Sequence, residues 1–249
     1  MRTFITSIIV FLLLAGGSIW LLKNKPTSSD SSTTEPTPAP DPTTTYAVTV
    51  ADIQLHRDKL AQQYQEAQTD QERDQVVASA RSLLELTMPS LMNCWLGTPW
   101  DFNGTASTPG GGKIACGYFV STIMRDAGFD VQRINLAQQA SQNIIRTFLP
   151  REALQIKTNT DYADYMDLVR EQPHGIYIIG LDKHVGFLVH NDKGLRFQHS
   201  GGLLRRVVSE SQADAYAIEH SNYRVIGNIT ASDEVIMKWL KKNPFPTHR

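Results

Sequence analysis

His184-Val185-Gly186-Phe187-Leu188-Val189-His190-Asn191-Asp192-Lys193-Gly194-Leu195-Arg196-Phe197-Gln198-His199 reads as a β-hairpin. Two β-prone runs flank Asn-Asp-Lys-Gly, residues that favour tight turns because they tolerate left-handed backbone. Gly175-Ile176-Tyr177-Ile178-Ile179-Gly180, just upstream, predicts a further buried strand. Counting back in pairs from the turn sets His190 near Leu195. The same count puts His184 opposite His199 or within two positions of it. Two imidazoles fifteen positions apart thus meet at the open end of one hairpin, and His190 lies at the far end.

Upstream, Gly110-Gly111-Gly112-Lys113-Ile114-Ala115-Cys116 is a glycine loop running into a helix, with Phe119, Val120, Ile123 and Met124 on its apolar side. A helix start carries unpaired N–H donors and partial positive charge, which favours a thiolate there. Gly117 permits close approach of a substrate or another backbone.

Together these positions predict nucleophilic chemistry. Cys116 attacks a carbonyl as thiolate, His184 holds the proton and passes it to the leaving amine, and His199 orients His184 through its other ring nitrogen. The N–H of Cys116 and a donor from residues 100–104 would bind the oxyanion. Trp100, Asn103 and Gly117 are the expected substrate contacts. Other readings compete: Cys116 would be a small buried core residue, with the two histidines as ordinary surface or core residues. Cys94 and Cys116, the only two cysteines, would form a disulfide in a catalytically silent envelope binding module. Alternatively, His184 and His199 would hold a metal with His174 or Asp182.

The 249 residues carry a formal net charge of −1, which argues against a nucleic-acid partner. Two cysteines are too few for a disulfide scaffold or a cysteine zinc site. Residues 1–25 contain an almost unbroken apolar run, 4–22, with Arg2 before it and Lys23 and Lys25 after, expected as a signal anchor or signal peptide. Residues 26–48 form a Ser/Thr/Pro-rich linker. Residues 49–249 are expected as one domain with a helical lead-in: an amphipathic helix over 50–68, then a second helix started by Thr69 with Glu72 three residues on and bent or restarted at Pro89. Further helices are expected over 135–149, 161–170, 209–220 and 233–242, and strands at 205–208 and 223–226.

Four of these stretches resemble the NlpC family of papain-like cysteine peptidases. They are Gly97-Thr98-Pro99-Trp100, Ala115-Cys116-Gly117-Tyr118-Phe119, His184-Val185-Gly186-Phe187 and Phe197-Gln198-His199-Ser200, in the family's unpermuted order. The resemblance covers roughly residues 76–229. It implies an α+β, papain-like fold with the nucleophile helix packed on an antiparallel sheet. It also implies a cysteine peptidase or amidase that cleaves peptidoglycan peptides through Cys116, His184 and His199, with no metal or organic cofactor. The setting it implies is the bacterial envelope, membrane-anchored through the N-terminal segment or secreted. Ala115 stands where the family keeps Asp, Gly117 where it keeps Ser, and Trp100 where it keeps Tyr. These departures bear on the substrate, and leave open amide or acyl-transfer chemistry on a non-wall substrate at the same site.

Overall fold

The computed structural model describes residues 41–201 and 203–249; the expected anchor and most of the linker lie outside the described residues. Among the described residues no helix is long and apolar enough to cross a membrane.

The hairpin forms as its sequence predicts. Strands β3 (Gly175–Leu181), β4 (His184–Asn191) and β5 (Gly194–Gly201) run antiparallel. The turn pairs Asn191 with Gly194, and His190 faces Leu195. Gly194 takes the left-handed φ of +99° that the turn requires. Around this hairpin the chain adds β2 (Gln155–Thr158), β6 (Arg206–Glu210) and β7 (Tyr223–Asn228). The result is a six-stranded antiparallel sheet of order β2-β7-β3-β4-β5-β6. A two-stranded parallel sheet joins β1 (Asp130–Val131) to β8 (Pro244–Phe245).

Helix α3 (Cys116–Asp126) lies on one face of the large sheet. Phe119 is fully buried and packs edge-on against Phe187 of β4 at 6.1 Å. The opposite face is covered by α6 (Tyr162–Arg170), whose Tyr165, Met166 and Val169 cluster with Tyr177, Ile179, Leu188 and Phe197. Helix α8 (Asp233–Leu240) buries Val235, Ile236, Trp239 and Leu240 on the α3 side. The protein is thus an α+β fold with helix α3, which begins at Cys116, against an antiparallel sheet.

The helical lead-in is α1 (Pro42–Glu66) and α2 (Asp70–Asn93). Its apolar residues share the α3-side core: Trp95, just after α2, meets Tyr46 of α1 at 5.9 Å and Phe119 of α3 at 6.3 Å. The hairpin is therefore part of the domain core. Thr69 and Glu72 form the expected reciprocal cap.

Four expectations are corrected. Residues 42–48 are helical rather than linker, because Asp41 accepts from the N–H groups of Thr43 and Thr44 and Pro42 sits where a helix tolerates proline. Pro89 does not end α2. Buried Leu84, Met88, Leu91 and Met92 hold the helix through it, at the loss of one backbone bond. Residues 135–149 are not one helix but parts of two short ones, α4 (Arg133–Ala137) and α5 (Ser141–Arg146). Residues 209–220 are not one helix either: β6 runs to Glu210, and only α7 (Tyr216–Glu219) is α-helical.

Candidate active site

Backbone pairing positions Cys116. The loop before α3 is clamped to the start of β6: Gly97 N–H donates to Val207 O at 3.0 Å, Val207 N–H to Thr98 O at 2.8 Å and Trp100 N–H to Arg205 O at 2.8 Å. Ile114 N–H then reaches Pro99 O at 3.0 Å, and Ala115 N–H reaches Gly104 O at 2.9 Å. From β5, the buried Ser200 hydroxyl donates to Ile114 O at 2.6 Å. The residue next to His199 is thereby tied to the residue two before Cys116.

Cys116 is the first residue of α3, and its N-cap, Ala115, supplies no side-chain cap. The first-turn N–H groups, which have no intrahelical acceptor, are left to the cleft. Gly117 permits close approach to a backbone: the nearest group to its Hα side is the carbonyl oxygen of Ala137 in α4. Burial pushes the Cys116 thiol up, while the N–H groups of Val185, Gly117 and Cys116 itself pull it down less strongly. The expectation of a thiolate favoured by the helix end alone is overridden by desolvation, so the thiol needs a base.

A candidate base, His184, lines the same cleft. His184 Nε2 lies 2.7 Å from Nδ1 of His199, with the rings nearly perpendicular. His199 is fully buried and stacks on Phe197 at 4.0 Å. With Nε2 engaged, Nδ1 is the ring nitrogen of His184 left without a hydrogen-bond partner among the described residues. Among the described residues no hydrogen bond joins Cys116 Sγ to His184; such bonds often form only in the substrate complex. His199 Nε2 in turn meets Glu210 Oε2 of β6 at 3.1 Å. Glu210 was not expected from the sequence.

Cys116 and His184 line two adjoining cavities. The larger, about 700 Å³, also holds Trp100, Asn103, Gly117, Lys183 and Arg205. The smaller, about 390 Å³, extends past Ser141, Gln142, Asp182 and Tyr223. All six residues singled out from the sequence therefore belong to this region, with His199 behind His184. Of the segments expected to wall the cleft, residues 137–142 do so, whereas α6 lies under the sheet.

The rival arrangements are not assembled. Cys94 and Cys116 are both free thiols. His174 packs beside His190 at 4.7 Å, at the far end of the hairpin, and Asp182 accepts the N–H groups of Asn222 and Tyr223. Among the described residues no group of three His, Cys, Asp or Glu side chains has metal-holding geometry.

Burial and the neighbouring His199 push His184 from the ordinary 6.5 down to about 3. The fold keeps this ring neutral while the unfolded chain takes up a proton near pH 6.5. The stability it contributes is present above about pH 6.5 and is lost as the pH falls toward about 3. Urea unfolding is expected to weaken across that window by up to about 1.4 kcal/mol per pH unit for this one proton. His184→Gln should flatten the slope; an unchanged slope contradicts the neutral, buried ring.

Comparison with family models, with characterised proteins and with solved structures finds no match.

Proposed function

We propose that this chain is a papain-like cysteine hydrolase that cleaves amide bonds in peptidoglycan peptides. The observation that carries the hydrolase reading is the buried His184–His199 pair. It engages Nε2 of His184 and leaves Nδ1 for a cysteine at an uncapped helix start in the same cleft.

The chemistry follows from these positions. As substrate enters, Sγ of Cys116 bonds to the carbonyl carbon while its proton passes to Nδ1 of His184 in the same step, because burial disfavours both the free thiolate and the free imidazolium beforehand. Charge builds on the carbonyl oxygen, where the open N–H groups of the first α3 turn can receive it. The C–N bond breaks as His184 returns the proton to the leaving amine. A water then attacks the thioester, with His184 taking its proton, and the acid product leaves with the thiol restored.

The substrate class rests on the NlpC resemblance of the four motifs and on the charge of the cleft. The larger cavity is lined by Lys183 and Arg205 and by no carboxylate, and neither cation is within ion-pairing distance of an acidic group among the described residues. Arg205 lies over the Trp100 ring at 4.6 Å and has a left-handed φ of 49°. Strain of this kind at a cleft points to a binding role. Peptidoglycan stem peptides carry carboxylates that such an arm would attract. Arg205→Ala is expected to raise KM roughly fivefold, with kcat within about twofold, the size of an exposed ion pair worth about 1 kcal/mol. A fall in kcat with KM unchanged would contradict a binding role.

The direct test is incubation of the protein with purified peptidoglycan peptides, followed by mass spectrometry. The reading requires new amine and carboxylate ends from one amide bond. Intact peptides, with a model ester hydrolysed through Cys116, would keep the site and overturn the substrate.

A further inference from the structure

We infer that Glu210 is a positioning residue that sets which nitrogen of His184 is free to take the thiol proton. The inference rests on the hydrolase reading for its purpose but on hydrogen-bond counting for its content. Three polar groups lie in a row: His184, His199 and Glu210, joined at 2.7 Å and 3.1 Å. Both ring nitrogens of His199 are engaged, and its side chain is fully buried while that of Glu210 is 14% exposed. A neutral imidazole has one N–H and one bare nitrogen, and an ionised carboxylate has no proton to give.

The direction of each bond then follows. Glu210 can only accept, so His199 must donate from Nε2. His199 Nδ1 is therefore bare and must accept. His184 must supply that proton from Nε2, and its own Nδ1 is bare. This is the form of His184 that can remove a proton from Cys116. In the opposite arrangement His184 would carry its proton on Nδ1, unable to act as base, and a bare His199 Nε2 would face the lone pairs of Glu210 in a dry interior.

Strand pairing places Glu210 for this task. In the β5–β6 ladder Glu210 pairs with Phe197 and Val208 pairs with His199. Glu210 thus sits on the same sheet face as Phe197 and His199, one diagonal step from the imidazole. A surface glutamate paired merely for stability would not need an imidazole whose second nitrogen is already committed.

The test is nitrogen NMR of the full chain labelled in its histidines, which reads the protonated ring nitrogen directly and needs no substrate. The parent is expected to show bare Nδ1 on His184 and bare Nδ1 on His199. In Glu210→Lys the side chain only donates, so both rings invert and His184 Nδ1 becomes protonated. In Glu210→Gln, which can donate or accept, the two forms coexist. Alkylation of Cys116 by iodoacetamide should fall by roughly tenfold or more in Glu210→Lys, within the usual contribution of a general base. A parent protein with a protonated Nδ1 on His184 overturns the inference, even if no variant folds. So do variants whose tautomers and alkylation rates match the parent. Peptide cleavage enters neither readout, so failure to cleave wall peptides would remove the proposed substrate and leave this result standing.

Discussion

Cys116→Ala is expected to lower amide cleavage by about 10⁴-fold or more and to leave the unfolding transition close to that of the parent. The asymmetry comes from where the sulfur sits. Cys116 is partly buried at the start of α3, packed against the core but not within it, and its backbone, not its side chain, opens the helix. Losing Sγ removes one heavy atom from a site bordering a 700 Å³ cavity, which costs at most about 1 kcal/mol. The chemistry loses everything, because no other group in the cleft can form the thioester. His184→Ala should fall nearly as far, and the double variant no further than either, since a nucleophile and its base act as a unit. Activity is measured on the purified peptide and stability by urea unfolding. Retained cleavage in Cys116→Ala would end the cysteine-hydrolase reading.

What could be read in the sequence, and what could not, divides along the range of the interactions involved. The β4–β5 hairpin is local: its turn chemistry and pair count place His184 and His199 together without any knowledge of the rest of the sheet. The reciprocal Thr69–Glu72 cap is local too. Glu210 is different. Its segment, Ser209-Glu210-Ser211-Gln212-Ala213-Asp214, has helix-compatible composition, and only pairing with β5 makes its first two residues a strand. The imidazole it meets, His199, lies eleven residues away on another strand, and nothing in the local sequence marks the pairing. Strand β2 was missed for a related reason. All four of its residues are exposed and it pairs only with β7, so it has no hydrophobic pattern to read. The acidity of Cys116 needed burial as well as sequence. The helix end was legible, whereas the desolvation that outweighs it arises from packing of α3 on the sheet and α4. Asp41-Pro42, by contrast, is a local helix start signal, masked by the Pro/Thr-rich composition around it.

Gly117→Ala is expected to destabilise the domain by about 3 kcal/mol, a fall in Tm of roughly 6–12 °C, and to slow alkylation of Cys116. The sign runs against propensity. Within a helix, alanine is ordinarily favoured over glycine by about 1 kcal/mol, through backbone entropy. Here a Cβ would overlap the carbonyl oxygen of Ala137, with the Ala137 carbonyl carbon at 3.1 Å and its Cα at 3.4 Å. These are backbone atoms of α4, so no side-chain rotation relieves the contact, and Ala137→Gly would not rescue it. Either α4 moves out or the first turn of α3 tilts. The first route opens the cleft wall formed by residues 137–139; the second swings the N–H groups at residues 116 and 117 away from Sγ. Both disturb the thiol, so stability and alkylation should change together. A contrast variant, Gly194→Asn, sits in the hairpin turn at φ +99° with no atom within 4 Å of the added Cβ. Asparagine tolerates left-handed backbone, so this variant should cost far less and leave alkylation unchanged. If Gly117→Ala instead gains stability by the helical preference, α3 does not pack on α4 as described, and the cleft that joins Cys116 to His184 loses its wall.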